Sequence, residues 1–589
     1  MRFGLFNTER KRIMKYEVSR IYKRIVEEAD KLADEYIPNQ VDDAQRSDFG
    51  GYFSPESSCC DASHVGTGML AHILGCCYFS EGSKYCNADE IRRRLLNALK
   101  FIKSQVRESG FIDLPNNNYD SSPDTAFMIN YLAQVAYMAK KSKMDCTGMI
   151  YNAVMDIILP CAKSVATGGF HTPNHRWVVC SALAQVMELE PEKCDFREIM
   201  ECYFAETVDM NADGFYFEKS LGVYDKVLDT RFIILGEIYD GEKYKKEDYI
   251  SFAEKNLDLR LDLMNNDCTM DTSVSSRQDH GKKYYLDCCN AFLYMAIQRN
   301  NPEFAKAALV ALENPISEAG ADLGAALYYF SRHPEWKEKS IEVGELRTYC
   351  DRLMAESGIY RVKKDKLSAT AKLEASDFFN VKYGSVTLAE VRALLAYFGG
   401  AKYKANKMIK TENGVKLSFY SEHNVAQHPA YWMPLGRKVE KDELPFNNVG
   451  IRKLNKRPEF DLSVEIIRTE NGFDLHTKSD KGMNGVKFSM EFLFLPVGSV
   501  ETENVSFPLR ENETMFLKEG SARIVNNGDF IKIDGGCCGH RLLAMNEGTN
   551  GLFRIVLTDF SPVDRVVHIE YGEWSGKDEK CSTEKLYIK

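Results

Sequence analysis

The run Gly168-Gly169-Phe170-His171-Thr172-Pro173-Asn174-His175-Arg176-Trp177 sets an amide, an imidazole and a guanidinium side by side. Thr172 is a good N-cap residue and Pro173 suits the first helical position, so a helix is expected to begin here. Asn174 and His175 then occupy its first turn, beside unpaired backbone N–H groups and the positive end of the dipole, where a substrate carboxylate could be held. The plainer alternative is that His175 only packs at a helix start. About 50 residues on, Asp213–Asp225 is too polar for a helix and too long for a tight turn. It reads as a functional loop ending at a helix that carries Asp229 and Arg231. Tyr224, at its end, could donate or accept a proton if nearby cations favour its phenolate, although a Tyr at a helix start is commonly packing.

Three further stretches carry chemistry-bearing side chains. Asn116–Thr125 is a polar loop containing Asn118 that runs into a helix near Ser122 and Pro123, with Asp124 in its first turn. Ser275–Gly281 places Ser276, Arg277, Gln278, Asp279 and His280 in succession, and Arg277 could pair bidentately with a carboxylate or sulfate. Solvated connections look much the same. In the second half of the chain, His423, His428, Tyr431 and Trp432 share one loop. Two histidines with Glu422 could seed a metal site, but stacking on a sugar or lining a cleft suits the set better. The sequence has no GxxxxGK[ST], GxSxG or HExxH motif, nor a GxGxxG between strand and helix. Nucleotide-dependent and serine-hydrolase chemistries therefore lose their usual markers.

The elements that must position these residues change character along the chain. Up to about residue 350, helical apolar spacing recurs in segments starting near Lys15, Ala62, Ala88, Asp124, Cys146, Pro173, Phe196, Val227, Glu247, Lys283, Pro302, Ser317 and Lys337. Roughly a dozen helices with short connections imply antiparallel pairs, which close most simply into an incomplete (α/α) toroid. From about Gly358, short β-prone segments such as Val415–Tyr420, Leu462–Arg468, Val486–Phe494 and Phe553–Thr558 alternate with Gly, Asn and Asp turns. One helix is expected within them, at Leu388–Phe398. The fold class is therefore α+β multidomain: a helical toroid over 1–357, carrying the catalytic groups, and a mainly antiparallel β-sheet or β-sandwich domain over 358–589 that completes the cleft.

Composition bounds the partners. With 589 residues, 44% hydrophobic and 28% charged, the chain suits more than one globular core and not a disordered polymer. Lys and Arg number 76 against 86 Asp and Glu, a formal charge of −10, so nothing favours nucleic acid. Seventeen cysteines, several adjacent, form no CxxC and suit small buried side chains in a reducing compartment. The charged stretch from Met1 to Arg24 does not resemble a signal peptide, and no apolar run is long enough for a membrane span. A cytoplasmic protein is expected, with a homo-oligomer left open.

A helical toroid followed by a β domain, with Asn174-His175 opening a helix and Tyr224 about 50 residues later, resembles the heparinase II/III-like polysaccharide lyases and is similar to the alginate oligosaccharide lyases. The phrases Ser122-Pro123-Asp124-Thr125, Thr172–Trp177 and Ser276-Arg277-Gln278-Asp279 look like those of heparinase-type proteins. The resemblance implies β-elimination on a uronate-containing glycan, glycosaminoglycan- or alginate-like, giving a 4,5-unsaturated uronate. It implies that Asn174 and His175 contact the uronate carboxylate and that Tyr224 is base, acid or both. Arg176, Trp177, Asn118, Asp124, Arg277, Gln278, His423, His428, Tyr431 and Trp432 are the candidates for binding sugar. No diffusible cofactor is expected; some relatives hold a structural divalent metal in the β domain, for which no ligand pattern is evident here. Two other readings stand beside this one. A glycoside hydrolase on a helical toroid would recruit two carboxylates from Asp113, Asp124 and Asp213. A non-catalytic glycan-binding relative would bind uronic oligosaccharides without turnover.

Overall fold

The computed structural model describes residues 14–144, 147–169, 171–314, 319–397, 400–421, 435–443, 459–543 and 548–575. The chain divides into two compact units. The first holds the residues up to Met264 and Cys268–Arg347; the second holds Asn265–Asp267 and the residues from Thr348 onward. This boundary precedes the expected 357/358 because Cys350–Met354 is already the edge strand of a sheet in the second unit.

Among the described residues the first unit contains twelve α-helices. They are α1 (Val18–Tyr36), α2 (Thr67–Phe79), α3 (Asp89–Gln105), α4 (Ser122–Lys141), α5 (Thr147–Val165), α6 (Pro173–Leu189), α7 (Arg197–Ala205), α8 (Tyr224–Ile238), α9 (Lys246–Leu263), α10 (Cys289–Arg299), α11 (Pro302–Glu313) and α12 (Ala319–Arg332). Two kinds of helix alternate. In α1 and α3 the apolar residues recur at helical spacing on one face, as in Val18, Ile21, Ile25, Ala29 and Ala33, so each covers the core from outside. In α2 and α4 nearly every residue is buried, which places them inside. The inner helices α2, α4, α6, α8, α10 and α12 pack in that order, and α12 returns against α2 and α4. Gly324 permits that return, because a Cβ there would collide with the His72 ring. The α/α toroid is thus built from helical hairpins. Each inner helix from α2 to α10 is followed by an outer one running back, so these inner helices share one direction and their N-termini lie at one end of the ring.

The second unit contains two nine-stranded sheets. Their strands pair antiparallel except for Thr514–Phe516, which runs parallel to Phe553–Phe560. Val381, Val391 and Phe492 from one sheet and Val415, Val464 and Ile531 from the other share a single hydrophobic core, the arrangement of a β-sandwich.

Three expected elements differ. Leu388–Phe398 is no helix: Val386–Tyr397 is a central strand between Asp377–Tyr383 and Lys487–Phe494. The helix expected near Lys337 is a 3-10 turn, Pro334–Glu338, leading into Ser340–Val343, which pairs with Met14–Glu17. The helix expected from Lys283 starts only at Cys289, where Asp322 accepts the N–H groups of Cys289 and Asn290 at 2.9 and 2.8 Å. No helix among the described residues is long and apolar enough to cross a membrane.

Candidate active site

The shared direction of the inner helices brings the first turns of α4, α6 and α8 to the same end of the ring, and with them Asp124, Asn174, His175 and Tyr224. The expected Thr172 cap does not form. A more distant group does its work: Glu218 Oε2 accepts the Asn174 N–H at 3.1 Å and the Asn174 Nδ2 at 2.8 Å. A carboxylate at a helix N-terminus satisfies orphan N–H groups and the dipole together. The anion-binding turn predicted for a substrate is therefore already occupied by the protein's own side chain. The second Nδ2 hydrogen of Asn174 is directed at Thr172 Oγ1, 3.1 Å away.

Glu218 also draws in the Ser275–Gly281 loop. Its Oε1 stands 3.4 Å from Arg277 Nη1, and its backbone carbonyl accepts a hydrogen bond from Ser276 Oγ at 2.9 Å. The Arg277 guanidinium lies 5.0 Å from the Tyr224 ring centroid, and Gln278 Nε2 donates to the Tyr224 hydroxyl at 2.8 Å. Beneath them the fully buried Asp279 accepts Ser220 Oγ and the Gly222 N–H, both at 2.9 Å, which clasps the 213–225 loop to the 275–281 loop. Arg277 is half-buried and Gln278 exposed, so both remain within reach of a ligand.

On the other flank, His175 meets the Phe127 ring edge-on at 6.1 Å, and His64 stacks on that same ring at 4.4 Å. His64 Nδ1 is 3.5 Å from Asp124 Oδ1, while Asn118 donates to Asp124 Oδ2 at 2.9 Å. Burial, with the His171 ring 4.4 Å away, pushes the His175 imidazolium down to about 4. His175 is therefore neutral at pH 7 and able to accept a proton. The sign for stability follows. An unfolded-chain histidine titrates near 6.5, so between about 4 and 6.5 the unfolded state binds more protons, and this stabilising contribution fades as the pH falls through that window. We expect the acid limb of any activity that needs neutral His175 to fall at about pH 4 and not near 6.5, which a pH–rate profile of kcat/KM checks.

The predicted residues thus separate. Asn174, His175, Tyr224, Arg277, Gln278, Asn118 and Asp124 gather at one end of the ring. Arg176 and Trp177 do not join them. Arg176 is buried, donating to the Thr207 carbonyl at 2.7 Å with Glu206 at 3.2 Å, and Trp177 is buried between Phe204 and Phe232. Consecutive residues on a helix turn by about 100°, so the two that follow His175 face the outer layer and not the ring end. His423, His428, Tyr431 and Trp432 lie outside the described residues. Among those described, no group of three or more His, Cys, Asp or Glu side chains could hold a metal ion. Glu218, His64, Phe127 and His171 are the functional candidates to which the sequence alone assigned no role. Only a polar, non-helical loop pointed toward Glu218. Of the carboxylates a hydrolase would need, Asp113 is paired with Arg107 at 2.8 Å, which holds it below the usual carboxylate range and unsuits it as a general acid.

No protein-family model matches the chain, and no curated protein matches its sequence. Solved structures do match. Heparinase III is 10% identical at a TM-score of 0.54, with 98% of this chain and 89% of that one covered. The heparan sulfate lyase from Pedobacter heparinus is 10% identical at 0.51, over 94% and 88% of the two chains. A Paenibacillus xanthan lyase is 8% identical at 0.55, over 95% of this chain and 56% of that one. At such identities the likeness is one of architecture: the chain has the helical-toroid and β-sandwich fold of these three proteins.

Proposed function

We propose that the protein is a polysaccharide or oligosaccharide lyase, a carbon–oxygen lyase that cleaves a uronate-containing glycan by β-elimination. The observation that carries this reading is the gathering of four groups at a single end of the helical ring: Asn174 and Arg277 both meet the buried Glu218 carboxylate, and the Arg277 guanidinium in turn lies over the Tyr224 ring and acts electrostatically on His175. The architecture shared with two proteins named as lyases and with heparinase III supports it.

Removing the C5 proton of a uronate is slow because negative charge builds beside a carboxylate that is already anionic. Donors aimed at that carboxylate stabilise the charge as it forms, typically by about 3–4 kcal/mol per donor. Arg277, half-buried and 3.4 Å from Glu218, would supply such a donor, while the fully buried Asn174, which gives its amide hydrogens to Glu218 and Thr172, holds Glu218 in position. Neutral His175 then accepts the C5 proton. The electron pair forms the C4–C5 double bond, the C4–O bond breaks, and the Tyr224 phenol delivers a proton to the departing glycosidic oxygen. The products are a 4,5-unsaturated uronate and a new saccharide end, with no diffusible cofactor consumed.

Glu218 acts here as a positioning residue. Glu218→Gln keeps the shape but loses the charge that holds Asn174 and Arg277. We expect kcat to fall about a hundredfold, as for a misplaced catalytic group, with the far-ultraviolet circular dichroism unchanged. Stopped assays separating kcat from KM check this; a change confined to KM would assign Glu218 to substrate binding instead. The reaction class is tested by incubating the protein with heparan, chondroitin, hyaluronan, alginate and pectic fragments while following ultraviolet absorbance. Growth of the unsaturated-uronate chromophore is the expected result. New reducing ends without that chromophore would replace elimination by hydrolysis.

A further inference from the structure

A cavity of about 410 Å³ lies in the helical unit at the other end of the inner helices. Its walls come from the C-terminal ends of α2 (Phe79), α4 (Tyr137, Lys141) and α12 (Phe330), with Tyr22 from α1 and Lys337 from the Pro334–Glu338 turn. Helix α4 joins the two places. Asp124 in its first turn belongs to the active site and Lys141 is its last residue, so at 1.5 Å per residue they stand about 25 Å apart. No group of the proposed elimination reaches this far.

The lining offers three chemistries at once. Aromatic faces come from Tyr22 and Tyr137, whose rings are approached by cations: Lys337 Nζ at 3.9 Å from the Tyr22 centroid and Lys141 Nζ at 5.5 Å from that of Tyr137. Lys141 is exposed, and the Glu81 carboxylate that faces Lys337 at 3.4 Å is itself largely in solvent, so both ammonium groups can exchange partners. Arg332, which lies 4.6 Å from the Tyr137 centroid and so closer to that ring than Lys141, is neutralised by Glu188 and Glu237 and serves as fixed wall. Finally, the last carbonyls of these three helices keep a second lone pair for a hydroxyl group even where one is used, as at Tyr78, Met138 and Tyr329, whose oxygens accept the N–H groups of Asn87, Ser142 and His333. Lysines at helix C-termini also answer the dipole, but that alone calls for neither the aromatic rings nor a hollow of this volume.

We propose that this cavity is a second, non-catalytic saccharide site, taking an acidic sugar whose ring packs on Tyr22 and Tyr137, whose hydroxyls meet the helix-end carbonyls and whose carboxylate or sulfate meets Lys141 and Lys337. The negative ends of three helices disfavour a compact, multiply charged phosphate and favour a hydroxyl-rich ring with one anionic group. The volume falls within the range of small-ligand pockets. The site stands on its own lining and does not require the elimination chemistry to be correct.

The test is equilibrium binding to the full chain carrying Tyr224→Phe, by calorimetry, with a hyaluronan tetrasaccharide and an oligomannuronate tetrasaccharide as probes and maltotetraose as neutral control. The expected result is two classes of site for at least one acidic probe, with the double charge reversal Lys141→Glu, Lys337→Glu weakening one class at least tenfold and the other unaffected. In the Tyr224-containing chain the same double substitution should leave kcat on a short substrate unchanged. A binding curve indifferent to the double substitution, equal binding of maltotetraose, or no binding of either acidic probe would each overturn the proposal. Because Lys141 and Lys337 lie outside the active site, loss of this site with turnover intact, or turnover absent with this site intact, distinguishes the two readings.

Discussion

Replacing Tyr224 by phenylalanine should lower kcat at least a hundredfold while leaving substrate affinity within a few-fold, because it removes one proton-bearing oxygen and little else. The hydroxyl receives a hydrogen bond from Gln278 at 2.8 Å, and the ring lies under the Arg277 guanidinium at 5.0 Å. The phenylalanine ring keeps that cation–π contact, so Arg277 stays in place and the substrate carboxylate retains its donor. General acid and base groups of this kind are typically worth about 10²–10⁴ in rate. Ultraviolet assay of the purified variant, with fragment affinity measured separately, checks the split. Near-normal turnover would remove Tyr224 from the chemistry and with it the proposed proton delivery to the leaving oxygen.

The second large effect concerns stability. Replacing Asp287 by alanine should cost about 3–5 kcal/mol, the usual consequence of taking one partner from a buried ion pair and leaving the other charge behind. Asp287 joins two cations, Lys226 of α8 at 2.9 Å and Arg260 of α9 at 2.7 Å, and Arg260 is wholly buried with Asp229 3.6 Å away on its other side. Arg260 would then depend on the Asp229 carboxylate 3.6 Å away, which also accepts the Tyr216 hydroxyl at 2.8 Å. Urea unfolding followed by tryptophan fluorescence, to which the buried Trp177 and Trp336 of the helical unit contribute, should show a midpoint shifted well below that of the parent chain. Activity should fall with it, since Lys226 and Asp229 belong to the first turns of the helix that begins at Tyr224. An unchanged midpoint would mean that the network relaxes around the loss.

Much of the fold is legible in the sequence because helices and strands write different periods into it. The apolar spacing of α1 and the short β-branched segments bounded by Asn-Gly turns each name their own element. Val386–Tyr397 defeats that reading. Its Leu, Ala, Glu and Arg are strong helix formers, yet Leu388, Val391, Ala393 and Leu395 are buried within the sandwich core, and pairing on both edges outweighs propensity. The start of α10 is hidden for a related reason: its cap, Asp322, comes from another helix. The site shows the same limit. Asn174, His175 and Tyr224 stand out because polar residues open otherwise apolar helices. Glu218, which ties Asn174 to Arg277, has nothing local to mark it, since its partners lie 44 residues before it and on a separate loop. Trp177 misled through adjacency, because a neighbour in sequence on a helix is not a neighbour in space.

The clasp made by Asp279 bears on how the protein would meet its ligand. A carboxylate with no exposure that receives both a hydroxyl and a backbone amide from Ser220 and Gly222 makes two surface connections into one mechanical body. The phenol and the guanidinium are then carried on a preassembled frame, and little ordering entropy is left to be lost when a sugar arrives. Slow deuterium uptake at the Gly222 amide, comparable to that of the helical interior, would be the signature of such rigidity in a segment without regular secondary structure.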